Sequence, residues 1–294
     1  MVAPPGAAHI ELASVPFFPQ TEYQCGPAAL ATVLANAGLP VDPNGLVSEV
    51  YVEGLRGSLQ AELLGATRRH GLIPYVLAPN PETLFAELAA GRPVLVLQNL
   101  GIDRVPLWHY AVVIGFDRDA DLVILRSGAE QRRLERTARF LKSWQRGSFW
   151  AFVPIEPGEL PATATAPLYV RALAGAEPLL PPARTADAFA LALQSWPDDE
   201  LVLFAAAGHE LGTGDLGAAA VLYRRLLALA PQHAAARNNL ANVLAEQGCY
   251  AQALDEAHAA LGAVAPDDEL YASIRDTVDT LERAGTRGDA PQCR

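Results

Sequence analysis

Several residue types on which whole classes of protein depend are scarce in this 294-residue chain. Lysine occurs once, as Lys142, and 22 basic residues stand against 33 acidic ones, which gives a formal net charge of −11 at pH 7. Nucleic-acid binding needs a basic footprint on the phosphates, and adhesion to an anionic membrane needs basic clusters. The charge balance therefore argues against both functions.

Long hydrophobic runs are missing as well. No run approaches the roughly 18 apolar residues that a membrane-spanning helix requires, so no such span is expected. Residues 1–15 lack both the basic region and the continuous apolar region of a signal peptide. This start fits a cytoplasmic protein and equally a mature exported domain supplied with a start methionine, so the compartment stays open.

Cysteine is limited to Cys25, Cys249 and Cys293, which lie far apart in the sequence. Three dispersed cysteines predict neither a disulfide framework nor a zinc site. The chain contains no glycine-rich phosphate loop with a Lys-Ser/Thr pair and no clustered His/Cys metal pattern. We therefore expect the protein to use no metal and no cofactor.

What the chain does contain is enough apolar sequence for a large core. Hydrophobic residues make up 51% and charged residues 19%, which excludes overall disorder. The first half predicts helices that begin at Gly26-Pro27, near residue 58 and at Asn80-Pro81, where an N-cap precedes a proline. Helices followed by a mostly antiparallel sheet are an α+β order. The expected strands are 93–99, 109–116, 121–125 and 149–154, with a short helix at 137–144.

The second half of the chain has a 34-residue period. Pro197 and Pro231 are 34 residues apart, as are Gly214 and Gly248. Paired helices with a glycine at the turn and a proline after the second helix are typical of tetratricopeptide repeats, in which small residues let the helices approach. We expect two repeats at about 200–232 and 234–267. A degenerate repeat precedes them, and a capping helix follows at 268–283.

The stretch around Cys25 carries the chemistry. Cys25 directly precedes Gly26 and Pro27, at the start of a predicted helix. The free N–H groups and the dipole of a helix start favour a negative charge, so we expect a lowered thiol pKa and a nucleophilic thiolate. Gly26 would admit a substrate backbone, and the Gln20 side chain and the Cys25 backbone N–H would donate to an oxyanion. The alternative is a buried structural cysteine.

A thiolate nucleophile needs a base, and His109 is the best placed of the six histidines. It opens an apolar strand, whereas the others lie in the N-terminal arm, at a helix end or in the repeats. A polar side chain at the head of a buried strand must find a partner or point into a cleft. We therefore pair His109 with Cys25, with a satisfied core histidine as the alternative. Trp108, directly before it, is a candidate substrate contact.

The first half of the chain resembles the C39-like papain-fold cysteine peptidases, which include the bacteriocin-leader-processing domains. The resemblance is carried by Gln20, by the segment Cys25-Gly-Pro-Ala-Ala-Leu and by the later segment Trp108-His109-Tyr-Ala-Val-Val. The whole chain is similar to a bacterial group in which such a domain precedes tetratricopeptide repeats. The resemblance implies an α+β papain-like cysteine peptidase domain and an all-α tetratricopeptide-repeat domain. Their expected bounds are 1–156 for the peptidase, 157–166 for a Pro-rich linker, and 167–294 for the repeats with their capping helix and tail.

This resemblance also assigns roles. Cys25 is the nucleophile, His109 is the general base and acid, and Gln20 is the oxyanion-hole donor. The Gln-to-Cys spacing is one residue shorter than in the bacteriocin-processing relatives, which makes Gln24 a minor alternative donor.

The third catalytic residue departs from that pattern. The bacteriocin-processing relatives carry an aspartate on the strand after the histidine strand, but the predicted hairpin places no carboxylate opposite His109. Ser127 is the favoured orienting group, while Asn99 ends the preceding strand and Asp117 lies at the wrong end of the histidine strand.

Three functions compete. The first is a thiol peptidase acting on a peptide or protein substrate, with the repeats recruiting that substrate or a partner protein. The second is an interaction module built on a catalytically degenerate papain-like scaffold, and the third is an acyl transferase that uses the same thioester. On the repeats, a polar cluster on one predicted helix is a candidate partner surface. Its members are Arg237, Asn238, Asn239 and Asn242.

Overall fold

The structure is a computed structural model that describes residues 8–19 and 24–285. The chain forms two compact units, divided between Ala188 and Phe189, and each unit is described by itself. Among the described residues, no helix is long and apolar enough to cross a membrane. Within the same residues, no three His, Cys, Asp or Glu side chains are grouped so that they could hold a metal ion.

The first unit is built on an antiparallel sheet, seven-stranded in the described part of the chain. The strands are β1 (His9–Glu11), β2 (Ile73–Val76), β3 (Val94–Asn99), β4 (Trp108–Asp117), β5 (Leu122–Ser127), β6 (Glu130–Arg136) and β7 (Ala151–Ile155). Their order in the sheet is β2-β7-β3-β4-β5-β6, with β1 paired to β4. Strand β4 is buried from Tyr110 to Phe116, because a continuous apolar run suits a strand covered on both faces.

Within the described residues, six α-helices of this unit accompany the sheet. The first is buried over most of its length, including Leu30, Val33 and Leu34, and it packs against β4. Helices and strands together therefore form the predicted α+β fold. The helices are α1 (Cys25–Asn36), α2 (Pro43–Val50), α3 (Gln60–Arg69), α4 (Pro81–Ala89), α5 (Thr137–Arg146) and α6 (Ala166–Ala176).

The predicted start of α4 is confirmed by its cap. The Oδ1 atom of Asn80 accepts the backbone N–H of Thr83 at 3.0 Å, and Pro81 occupies the first helical position. An N-cap side chain of this kind satisfies one of the N–H groups that a helix start leaves without an intrahelical partner. The same sequence signal therefore sets both the position and the stability of this helix end.

Residues 157–166, expected to be a linker, are anchored to the first unit. Thr163 donates its backbone N–H and its hydroxyl to the buried carboxylate of Glu87 at 2.8 and 2.7 Å. The Tyr75 hydroxyl donates to the Thr163 carbonyl at 2.9 Å, and α6 then packs against β2. The domain boundaries drawn from the sequence stay a prediction.

The second unit is all-helical, as the sequence predicts. Gly214 and Gly248 both have positive φ values, +86° and +80°, a conformation that glycine adopts without steric cost. The two turns are 34 residues apart, and at each turn the helix before it packs against the helix after it. This pattern is consistent with repeats, and their assignment as tetratricopeptide repeats stays a prediction. The helices are α7 (Pro182–Ser195), in which the divide between the units falls, α8 (Glu200–Thr213), α9 (Leu216–Leu229), α10 (Ala234–Glu246), α11 (Tyr250–Gly262) and α12 (Tyr271–Gly285).

Candidate active site

Cys25 is the first residue of α1, so that the helix begins one residue earlier than the start at Gly26-Pro27 that the sequence predicts. Pro27 follows in the first turn, where a backbone N–H would have no intrahelical partner in any case. Cys25 is half-buried and carries a free thiol, whereas Cys249 in the second unit is disulfide-bonded. The backbone N–H of Tyr110 faces the Cys25 thiol and acts to lower its pKa. The thiol therefore lies beside the first residues of β4.

The expected lowering of the Cys25 thiol pKa is wrong. Burial raises the pKa of this thiol above its ordinary value, because the charged form loses its hydration. The backbone N–H groups of Tyr110, Gly26 and Cys25 itself lower the thiol pKa, but they do not outweigh the burial. A helix start thus fails to produce a thiolate here because the sulfur is withdrawn from water. The resting thiol is protonated at neutral pH.

His109 is the second residue of β4 and is half-buried. Its Nε2 atom is hydrogen-bonded to the Oγ atom of Ser127 at 2.8 Å. Burial, with the charge of Arg133 as a second cause, lowers the imidazole pKa to about 4, since both disfavour the imidazolium. At neutral pH the ring is therefore neutral, and one of its nitrogens has a lone pair that can accept a proton.

Ser127 owes its position to the strand pairing. It ends β5 and is buried, and the antiparallel pairing of β4 with β5 brings the end of β5 to the start of β4. Gly128 follows with a φ of +62° and turns the chain into β6. The structure thus brings Ser127 to His109, as expected, while the role of the hydroxyl stays a prediction.

The two other candidates for the third residue have different partners. The Oδ1 atom of Asn99 accepts the backbone N–H groups of Gly101 and Leu107 at 3.0 and 2.9 Å. It therefore shapes the loop that leads into β4. Asp117 lies at the opposite end of β4 and accepts the backbone N–H of Ala120 at 2.8 Å. Neither contact involves the imidazole of His109.

Cys25 and His109 line one cleft with a volume of about 910 Å³. The cleft is lined by residues of the loop 52–59, which we call the wall segment, and by residues 106–110, among others. Trp108 lines this cleft and is 53% exposed, which makes it available to a ligand. Large apolar side chains in both of these segments line the cleft and are exposed. They are Leu55, Leu59, Leu107 and Trp108.

Gly26 is buried, and its open side faces the wall segment. A Cβ atom at this position would lie 2.3 Å from the Oγ atom of Ser58 and 2.6 Å from its Cβ. The close approach that this glycine permits is therefore the approach of Ser58 to the start of α1. Contact between Gly26 and a substrate backbone stays a prediction.

Sequence reasoning missed Tyr110 and Ser58. The Tyr110 hydroxyl donates to the Ser58 carbonyl at 3.1 Å, which links β4 to the wall segment. The signal in the sequence was a hydroxyl-bearing side chain at the start of an otherwise apolar run, 110–116, since a buried phenol usually finds a partner. Nothing in the sequence identified Ser58 as that partner, because 52 residues separate the two positions.

Gln20, the expected oxyanion-hole donor, lies outside the described residues. Gln24, its alternative, is the N-cap residue of α1 and is half-buried. The backbone N–H of Cys25, the other expected donor, is close enough to its own thiol to lower the pKa of that group. The role of each donor stays a prediction.

The polar cluster expected to bind a partner lies on α10, and two of its members have partners within the second unit. Arg237 forms an ion pair with a glutamate of α11, and Asn239 donates to the hydroxyl of Tyr223 at 3.1 Å. Asn238 is buried, whereas Asn242 is exposed. Binding of a partner by this cluster stays a prediction.

Comparison with known proteins connects this site to a family. Residues 12–151, which include Cys25, His109 and Ser127, match the model described as the Peptidase_C39 like family. No curated protein matches the chain. A crystal structure of a proposed C39-like peptidase from Bacillus anthracis is 20% identical, with a TM-score of 0.43, and the match covers 51% of this chain and 98% of that one. A double glycine motif protease from an AMS/PCAT transporter, solved with the leader peptide, is 21% identical, with a TM-score of 0.37, over 52% of this chain and 95% of that one.

Proposed function

Because residues 12–151 belong to the C39-like peptidase family, we propose that the protein is a cysteine peptidase that cleaves a peptide or protein substrate. Cys25 attacks the carbonyl, His109 moves the proton and Ser127 orients the imidazole. One observation carries the proposal: His109, whose imidazole is hydrogen-bonded to Ser127 at 2.8 Å, lines the same cleft as the free thiol of Cys25. These are the nucleophile, base and orienting group that covalent catalysis by a thiol uses.

The proton moves through one nitrogen of His109. With Nε2–H donating to Ser127, the lone pair is on Nδ1. As the sulfur of Cys25 bonds to the carbonyl carbon, the thiol proton passes to Nδ1, and the carbonyl oxygen becomes an oxyanion. When the C–N bond breaks, the imidazolium gives that proton to the leaving amine, and a thioester remains. Water then attacks the thioester, losing a proton to the imidazole, which returns it to the departing sulfur as the acid is released.

The resting site contains a neutral pair, and this sets the timing of proton transfer. Burial raises the pKa of the Cys25 thiol and lowers the pKa of His109 to about 4. The proposal therefore assigns proton transfer to the attack itself, and not to a thiolate formed beforehand. The backbone N–H groups of Tyr110 and Gly26 that face the sulfur stabilise the charge that develops on it.

The oxyanion of the tetrahedral intermediate also needs hydrogen-bond donors. The family resemblance gives this role to the side-chain amide of Gln20, with Gln24 as the alternative. The backbone N–H of Cys25, at the N-terminus of α1, is the second donor, because the first N–H groups of a helix have no intrahelical acceptor.

The walls of the cleft indicate the character of the substrate. Leu55, Leu59, Leu107 and Trp108 are 47 to 61% exposed, and covering apolar side chains of this kind is favourable. A substrate with apolar side chains near the cleaved bond fits such walls. The helices of the second unit are proposed to be tetratricopeptide repeats that recruit this substrate or a partner protein.

Two alternatives use the same site differently. The neutral pair and the serine in place of a carboxylate favour a degenerate scaffold that acts as a protein–protein interaction module. An acyl transferase would form the same thioester and pass the acyl group from Cys25 to an amine. Trapping of the acyl group by added amines during turnover separates transfer from hydrolysis.

The test is cleavage of a peptide library by the full chain, with products identified by mass spectrometry. Wild type is compared with Cys25→Ala, His109→Ala and the matched control His70→Ala. The His70 imidazole contacts Glu49 at 3.0 Å and does not line the cleft. We expect cleavage by wild type and His70→Ala and none by the other two variants. Absence of cleavage by folded wild type, or cleavage that survives Cys25→Ala, would overturn the proposal.

A further inference from the structure

Tyr110 follows His109 in β4 and has three contacts, two of them with residues that line the cleft. Its backbone N–H faces the Cys25 thiol and lowers the thiol pKa, and its hydroxyl donates to the Ser58 carbonyl at 3.1 Å. The ring packs edge-on against Trp150, with the ring centroids 6.0 Å apart. Tyr110 is itself 3% exposed. One buried residue thus joins the nucleophile to the wall segment.

The wall segment is a small loop shaped by its own bonds. The backbone N–H of Val52 donates to the Gly57 carbonyl at 2.8 Å, and Arg56 has a left-handed φ of +49°. These features fix the shape of the loop, but they do not fix its distance from the thiol. The loop presents Leu55 and Leu59 to the cleft, and their side chains are 60% and 47% exposed.

We propose that Tyr110 is a positioning residue whose hydroxyl holds the wall segment at the distance from Cys25 that the substrate requires. This inference rests on the proposed peptidase function and adds a specificity element to it. The hydroxyl acts through the wall segment, which carries the apolar side chains that contact substrate. An anchored wall does not have to be ordered when substrate binds, and this preorganisation strengthens binding.

The chemistry of the phenol suits a permanent anchor. Burial raises the pKa of Tyr110, and the adjacent Cys25 raises it further. The phenol therefore keeps its proton throughout the pH range in which a thiol peptidase works, and it remains a donor to Ser58 when the sulfur acquires charge. The ring contact with Trp150 keeps the side chain in place, so that Tyr110→Phe removes the hydrogen bond and leaves the packing.

The sheet offers a matched control. Tyr75 in β2 is also buried, and its hydroxyl also donates to a backbone carbonyl, that of Thr163, at 2.9 Å. Neither Tyr75 nor Thr163 lines the cleft. Tyr75→Phe therefore removes the same kind of bond from the same unit without touching the wall segment, and it reports the general cost of losing a buried phenol.

The first experiment does not depend on peptidase activity. The rates of Cys25 alkylation by iodoacetamide and by a bulky fluorescein iodoacetamide are measured by intact mass, with Cys25→Ala as background. A loosened wall admits the bulky reagent more readily. We therefore expect Tyr110→Phe to raise the bulky-to-small rate ratio by roughly 2- to 10-fold, the factor that one neutral hydrogen bond supplies. Tyr75→Phe should leave the ratio unchanged. An unchanged ratio in Tyr110→Phe, or an equal rise in both variants, would overturn the inference.

The second experiment uses a peptide that the wild type cleaves. Tyr110→Phe should raise KM by a similar factor of roughly 2 to 10 while kcat stays within about twofold, because the hydroxyl positions the wall and does not touch the reacting atoms. A fall in kcat at constant KM would overturn the positioning role. Complete absence of cleavage by wild type would overturn the proposed function alone, since the alkylation ratio would still report whether Tyr110 holds the wall.

Discussion

The Nε2 atom of His109 lies 2.8 Å from the Oγ atom of Ser127, where the end of β5 meets the start of β4. In the proposed mechanism, a hydroxyl in this place fixes the direction of the imidazole, as a carboxylate would. It supplies no negative charge, so that burial and Arg133 keep the imidazole pKa at about 4. An aspartate would both orient the imidazole and raise its pKa, whereas this serine is proposed only to orient it.

Removal of the hydroxyl tests its orienting role. In Ser127→Ala the ring of His109 loses a fixed direction, and we expect kcat/KM for peptide cleavage to fall by roughly 10- to 100-fold, as misplaced catalytic groups do. The matched control is Ser143→Ala, since the Ser143 hydroxyl is also buried but accepts from Gln98 at 2.8 Å. Similar losses of kcat/KM in both variants would show that Ser127 has only a structural role.

Introduction of a carboxylate tests the basicity. In Ser127→Asp an anion faces the imidazole of His109 and favours its protonated form. We expect the imidazole pKa to rise from about 4 towards or above the value of an exposed histidine. Titration of the His109 ring protons by NMR, assigned by comparison with His109→Gln, measures this. A pKa that stays near 4 would mean that the new side chain does not reach the ring.

The low pKa of His109 also predicts how stability changes with pH. The pKa of the His109 imidazole is 6.5 as its ordinary value and about 4 in the folded protein. Above pH 6.5 the imidazole is therefore mostly neutral in both the folded and the unfolded chain. Between pH 6.5 and 4 the unfolded chain binds a proton that the folded chain does not, and stability falls as pH falls. From pH 7.5 to 4.5 the loss from this group is about 2–3 kcal/mol. Urea melts of wild type and His109→Gln measure it, because the variant lacks this contribution.

The sequence predicted the elements whose signals are local. Asn80-Pro81 marks the start of α4, and the apolar runs mark β3, β4 and β5. The predicted hairpin of β4 and β5 placed Ser127 opposite His109, because antiparallel pairing fixes which residues meet. The fold class and the neighbours of the histidine therefore follow from pattern alone.

The features that the sequence did not predict depend on exposed charged residues, on contacts between distant positions or on the depth of burial. β6 reads EQRRLER, and its residues are mostly exposed, so this edge strand shows no apolar alternation. The bond between Tyr110 and Ser58 spans 52 residues. The raised thiol pKa of Cys25 depends on how deeply the packing buries the sulfur. A helix start is visible in a sequence, but the amount of water left at its first residue is not.

The corrected thiol pKa predicts the alkylation profile. The rate of Cys25 alkylation by iodoacetamide follows the thiolate fraction, and the pKa lies above the ordinary value of 9.0. We expect the rate to rise through neutral pH and to continue rising beyond pH 9 without a plateau. Intact-mass kinetics from pH 6 to 10 measure this, with Cys25→Ala as background. A plateau below pH 8 would mean that the Cys25 thiol has the lowered pKa that the sequence predicts from the helix start alone.

The contact between Gly26 and Ser58 predicts a mutation with a specific rescue. In Gly26→Ala the new methyl group would lie 2.3 Å from the Ser58 Oγ atom. Because the serine side chain is short, its backbone must move, and the wall segment moves with it. We expect a destabilisation of about 1–3 kcal/mol, typical of overpacking, together with a raised KM. Gly45→Ala is the control, since no atom of the described residues lies within 4 Å of its Cβ position in α2, and stability should rise by about 0.5–1 kcal/mol.

The rescue is Ser58→Gly in the Gly26→Ala background. Removing the serine side chain removes the atoms that the methyl group meets, so the double variant should be more stable than Gly26→Ala alone. The two changes are then non-additive, as expected for residues in direct contact. Urea melts of wild type, the two single variants and the double variant complete this cycle. The KM for peptide cleavage reports whether the wall segment regains its position in the double variant. Strict additivity would mean that Gly26 is required for another reason, such as the substrate contact that the sequence suggested.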